Sequence, residues 1–181
     1  MPTALLTGPL NYTPDVEVAL KSEGFEVLTA GAGARPVAGE SGIVDCYVQL
    51  PHGFASPSDD PLARARALVN QGVLARLEGV AQVAGLLASR GRVVLVADPD
   101  RGETPAPEMG LVHHLAHAVL AAHGRNQVRV AVVDGARTPA DIARIARAAP
   151  PPWTAYPAIE PELGFADWRD EVMALSTAPD W

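Results

Sequence analysis

The chain has 181 residues, 48% of them hydrophobic, enough to enclose the core of one domain. Its formal net charge of −7 opposes phosphate backbones and anionic headgroups, which argues against nucleic acid and membrane surfaces as partners. A lone cysteine, Cys46, excludes an intrachain disulfide and suits a reducing cytoplasm. No apolar run approaches the roughly 20 residues of a bilayer span, and the opening MPTALLTGPL lacks the basic-then-apolar pattern of a signal peptide.

Strand and helix signals alternate along the chain. Residues 4–6 are an apolar run ending in Thr7-Gly8 and predict a first strand. Thr13-Pro14-Asp15 pairs an N-cap residue with proline at the first helical position, and the helix stops at Gly24. Residues 25–28 predict a second strand, 31–42 a loop rich in Gly, Ala and Pro, and 43–50 a third strand closed by Pro51. A second loop leads into a long helix predicted over 61–89. Residues 92–97 are continuously apolar, as in a parallel strand covered on both faces. A helix follows over 108–123, then a fifth strand over 128–133. Thr138-Pro139-Ala140-Asp141 opens a last short helix. Strands separated by helices imply a mostly parallel sheet of about five or six strands with right-handed crossovers, in an αβα domain over residues 1–149. The remaining residues, 150–181, are rich in proline and hold Trp153, Tyr156, Phe165, Trp168 and Trp181. Aromatics so concentrated imply a tail that packs on the domain or on a partner subunit.

The order of these elements resembles the short-chain dehydrogenase/reductase family over residues 3–148. Thr7-Gly8 stands where the family's TGxxxGxG phosphate loop begins. VDCYVQLP (residues 44–51) resembles the strand that usually ends in Asn-Asn-Ala-Gly, and Asn70 sits where the family carries a helix asparagine. The strand at 93–97 resembles the one leading to the catalytic serine. LVHHLAHAVLAAHGRNQVRVAVVDG resembles the helix after Tyr-xxx-Lys and the strand beyond it, and ADIARIARAA resembles a late helix of the family. The resemblance implies a Rossmann-like three-layer αβα fold, truncated relative to a full member.

The residues that serve a nicotinamide cofactor in that family are replaced here. Glycines in the phosphate loop let the backbone approach a pyrophosphate. After Gly8 the later glycine positions fall on Tyr12, which adds a ring, and Pro14, which lacks an N–H. Asp15 and Glu17 put negative charge in the first turn of the helix, where it meets the positive dipole end and repels a diphosphate. Thr29-Ala30-Gly31 brings no carboxylate for a ribose hydroxyl, and Arg35 is read as a solvated side chain. The family spacing places its tyrosine at Pro105, its lysine at Met109 and its serine at Ala97 or Asp98; proline and methionine cannot donate a proton to a developing alkoxide, so the usual acid chemistry is not expected. No bound cofactor and no hydride transfer of the family's kind are expected.

Three other constellations carry chemistry. His113, His114 and His117 cluster in HHLAH; His113 and His117 share a helix face one turn apart, with Asp98, Asp100 or Glu108 as conceivable third ligands to a metal. The sequence reading favours a solvated or interface stripe and no metal. Asp98 and Asp100 follow a parallel strand, in the crevice where open α/β sheets bind ligands, and with Asn70, Glu103 and His113 could form a polar site for cofactor-independent chemistry. Cys46, mid-strand beside Tyr47, is read as a buried inert thiol. Apolar residues wrap most of the helices at 61–89 and 108–123, which implies cover on two sides. The expectation is a non-catalytic member that forms a homodimer, or pairs with a catalytic paralogue, through those two helices. An oxidoreductase, or an enzyme using the crevice without a cofactor, remains the alternative.

Overall fold

The structure, a computed structural model, describes residues 1–9, 13–31, 44–51, 60–97, 107–133 and 137–148. It is an α/β fold of the Rossmann-like three-layer kind. Five parallel strands, β1 (Thr3–Gly8), β2 (Glu26–Gly31), β3 (Val44–Gln49), β4 (Leu87–Val96) and β5 (Arg129–Val133), lie in the order β2-β1-β3-β4-β5. The helices are α1 (Thr13–Ser22), α2 (Pro61–Ala67), α3 (Ala75–Ala84), α4 (Pro107–Ala122) and α5 (Pro139–Ala148), with a π-helical segment, Leu68–Leu74, joining α2 to α3. The order reverses between β1 and β3. That switch point is where doubly wound sheets bind ligands, beyond the carboxyl ends of the strands. This order is that of flavodoxin-like sheets; a dinucleotide-binding sheet gives it only on losing the edge strand beyond β2.

Alternation along the strands divides the core in two. Ala4 and Leu6 of β1, Cys46 and Val48 of β3, Val94 and Val96 of β4, and Ala131 and Val133 of β5 face α1 and α5. Leu5, Tyr47, Val93, Leu95, Val130 and Val132 face α3 and α4. β3, β5 and the carboxyl half of β4 are buried on both faces because helices cover both, which is why apolar runs such as Val93 to Val96 mark them in the sequence. Gly24 ends α1 with a φ of 84°, the left-handed conformation its side-chain-free backbone allows. Thr138 caps α5 by accepting from the Asp141 N–H at 3.2 Å, while its hydroxyl donates to the Asp141 carboxylate at 2.8 Å. Asp60 caps α2, accepting from the Leu62 N–H at 3.0 Å.

One expectation is corrected. The helix predicted over 61–89 ends at Ala84, and β4 begins at Leu87. Leu86-Leu87 fits a helical stripe and the start of a strand equally well; Gly85 stops the helix, and Leu87 pairs with Val44. The same helix is not uniform, because the Ala75 N–H reaches back to the Asn70 carbonyl, five residues away. Cover on a second side does not come from within this chain. Within this chain α2 buries none of its residues. Leu62, Val69 and Leu74 are 59%, 48% and 46% exposed, and Leu111 of α4 is 50% exposed. Gln49, the last residue of β3, meets α3 at Arg76, so the helical run before Arg76 projects past the carboxyl edge of the sheet. No helix among the described residues is long and apolar enough to cross a membrane.

Candidate functional site

The switch point is built from the carboxyl ends of β1 and β3. On the α1 side, Gly8 lies against Leu50: a Cβ added at Gly8 would stand 2.5 Å from Leu50 Cβ. This glycine, where the family resemblance begins, therefore has a packing role of its own. The start of α1 offers little to an anion. The Thr13 N–H is engaged by the Pro9 carbonyl at 3.2 Å, and the Thr13 hydroxyl donates to the same oxygen at 2.7 Å. Pro14 has no N–H, and Asp15 brings a carboxylate into the first turn. Tyr12 lies outside the described residues.

On the α3 side the strand ends carry a polar set that sequence reading missed. Tyr47 and Thr7 share a hydrogen bond of 3.0 Å between their hydroxyls. Gln49 Nε2 reaches the Arg76 carbonyl at 3.4 Å, and Gln49 Oε1 is buried without a hydrogen bond. Tyr47, Gln49 and Arg76 are all buried. Burial pushes the Tyr47 phenol up, against the hydrogen bonds from Thr7 and Gln49 and the charge of Arg76. Gly79 of α3 makes the arrangement possible, since a Cβ there would collide with Gln49 Nε2 and stand 2.9 Å from Tyr47 Oη. The signal was present in the sequence. Thr7, Tyr47 and Gln49 are polar groups toward the carboxyl ends of β1 and β3, and Gly79 interrupts a run of helix formers. Their meeting depends on the register Leu5↔Tyr47 and Thr7↔Gln49, which sequence does not display.

The histidines correct the solvated-stripe expectation. His113 is only 4% exposed and packs in the α4 layer, while His114 is exposed and His117 half-buried. The His113 and His117 rings lie 4.9 Å apart between centroids at an interplanar angle of 78°, and His113 and His114 lie 5.5 Å apart. Both ring nitrogens of His113 and Nε2 of His117 are buried without a hydrogen-bond partner. Burial first, then the neighbouring imidazoles, pull His113 down to about 4; the Val130 backbone opposes this without meeting hydrogen-bond geometry. His117 is lowered by the same causes, burial and then His114. Both rings are therefore neutral at pH 7. Sequence reading missed the burial because three imidazoles on an apolar helix look like its solvent face.

Of the remaining candidates, the structure describes Asn70, Met109 and Cys46. Asn70 lies on the exposed side of the π-helical segment, and its carbonyl holds the Ala75 N–H. Asp98, Asp100, Glu103, Pro105 and Arg35 lie outside the described residues, as does the tail at 150–181, and nothing is described of the Glu108 side chain. Met109, at the family's lysine position, is buried in the apolar layer beside Val112 and Ala116. Cys46 is fully buried, and desolvation pushes its thiol up to about 12. Among the described residues, no group of three or more His, Cys, Asp or Glu gathers as a metal site.

No family model matches the chain, and no curated protein does. Among solved structures, the crystal structure of the protein lin1944 from Listeria innocua is similar, with a TM-score of 0.50 and 14% sequence identity, covering 87% of this chain and 97% of that one. The likeness shows a shared fold.

Proposed function

We propose that this chain is a non-catalytic relative of the short-chain dehydrogenases/reductases that works in the cytoplasm as an oligomeric binding or scaffold subunit. The observation that carries the reading is the first turn of α1. A dinucleotide-binding domain keeps free N–H groups there for a pyrophosphate. Here Thr13 is already bonded to Pro9, Pro14 has no N–H, and Asp15 adds negative charge. Leu50 occupies the space beside Gly8, so the glycine is accounted for by packing. The apolar helices α3 and α4 on one face of the sheet support the family reading.

The oligomer rests on Leu62, Val69, Leu74 and Leu111, which stand exposed on α2, the π-helical segment and α4. A second copy packing there would take these large aliphatic side chains out of water. A homodimer through these helices is the simplest assembly; a catalytic paralogue seated on the same face is the version that would give the subunit an enzymatic partner. Sedimentation velocity of the purified chain tests the interface. A dimer or larger species is expected, and a Leu62→Glu/Leu111→Glu variant is expected to sediment as a folded monomer, because both side chains are exposed in the single chain. A wild-type chain that stays monomeric at high concentration, and binds no paralogue from its host, overturns the reading.

A further inference from the structure

Buried polar atoms in folded proteins nearly always find a partner, and an exception calls for an explanation such as a bound ion. On α4 three imidazole nitrogens fail that rule together: His113 Nδ1, His113 Nε2 and His117 Nε2. We infer that His113 and His117 form a two-imidazole site for a divalent transition-metal ion of the zinc, cobalt or nickel class. The proposal goes beyond the scaffold reading and does not depend on it.

The spacing suits such an ion. Residues four apart on a helix lie one above the other on the same face. Two imidazoles on one tetrahedral ion place their nitrogens about 2.0–2.1 Å from it, and since each ring centre lies about 1.1 Å beyond its nitrogen, the centres come to about 5 Å apart. The His113 and His117 centroids stand 4.9 Å apart. Imidazole nitrogen is a borderline-soft donor that selects these ions over calcium or magnesium, which want oxygen. The Val130 backbone beside His113 is the kind of group to which metal-bound histidines give their second N–H.

The surroundings define the rest of the site. His113 is sealed in the α4 layer, and His117 is half-buried as a residue with its Nε2 buried. With two protein ligands and no third among the described residues, the remaining coordination positions fall to water or to a small exogenous ligand.

The test uses the untagged full-length chain, stripped with EDTA and dialysed. Cobalt(II) is titrated while the visible ligand-field absorption is followed, and zinc(II) binding is measured by calorimetry. Saturable binding near one ion per chain is expected, with a rise in Tm because the ion binds the folded state. Loss of a single outer-shell partner weakens metal sites by about 10- to 100-fold, so His117→Ala, which removes a direct ligand, is expected to weaken binding by at least about tenfold. His117 is half-buried, so this variant should keep its fold, checked by circular dichroism; His123→Ala, at the exposed end of α4, should bind as the wild type does. Absence of saturable heat and of a visible band in the wild type overturns the proposal. So does undiminished binding by folded His117→Ala, which would place the ion elsewhere.

Discussion

At position 8 a Cβ would stand 2.5 Å from Leu50 Cβ, closer than packed carbon atoms approach. Gly8→Ala should therefore cost about 1–3 kcal/mol in urea unfolding, the usual penalty for overfilling a packed site. The double variant Gly8→Ala/Leu50→Ala should show coupling, with the second change costing less than it does alone. Strict additivity would show that Leu50 is not the reason for glycine. Cys46 makes a second residue-scale prediction. Its thiol rises from the ordinary value of 9.0 to about 12 in the folded chain, chiefly by desolvation. The folded state thus holds its proton where the unfolded state releases it, so stability is full below pH 9.0 and falls as pH rises from there toward about 12. The steepest slope from this group is about 1.4 kcal/mol per pH unit. The urea midpoint should fall between pH 8 and 10, and Cys46→Ala, though less stable, should be flatter over the same range, measured at matched ionic strength. An equally steep decline in the variant would rule out the thiol as its source.

At the scale of elements, the approach of α3 to the sheet depends on Gly79. An exposed helical glycine replaced by alanine gains about 1 kcal/mol. Here the methyl would run into Gln49 Nε2 and Tyr47 Oη, so Gly79→Ala should lose stability, by about 1–2 kcal/mol net. Gly110→Ala in α4, where a Cβ meets nothing within 4 Å, should move the other way. Thermal unfolding of both variants checks the pair, and a gain at both positions would contradict the packing described at the switch point. The elements were largely legible in the sequence, for a physical reason. Strands covered by helices on both faces leave unbroken apolar runs such as Val93 to Val96, and the caps at Thr138 and Gly24 are local chemistry. The helix–strand border at Gly85 was not legible, because Leu86-Leu87 satisfies either period. The candidate site was less legible still. Burial of His113 follows from how α4 rolls onto its neighbours, and the contact between Tyr47, Gln49 and Gly79 follows from strand register and helix placement, which no local pattern encodes. Asn70 looked like a site residue by position, but its place on the exposed side of the π-helical segment separates its side chain from the buried polar set.

For the whole molecule, two surfaces define the account. One is the carboxyl edge at β1 and β3, where the start of α1 has few free donors and carries Asp15. The other is the outer side of α2 and α4, where Leu62 and Leu111 remain uncovered in a single chain. The net charge of −7 adds a general repulsion to any polyanionic ligand. A dinucleotide has to overcome all of this at the first surface, and a second subunit can use the second. The most direct test is a fluorescence titration of NADH, and separately NADPH, with the purified chain. The account predicts no saturable change in nicotinamide emission into the millimolar range; saturation at micromolar concentration, lost on adding the oxidised cofactor as competitor, would contradict it.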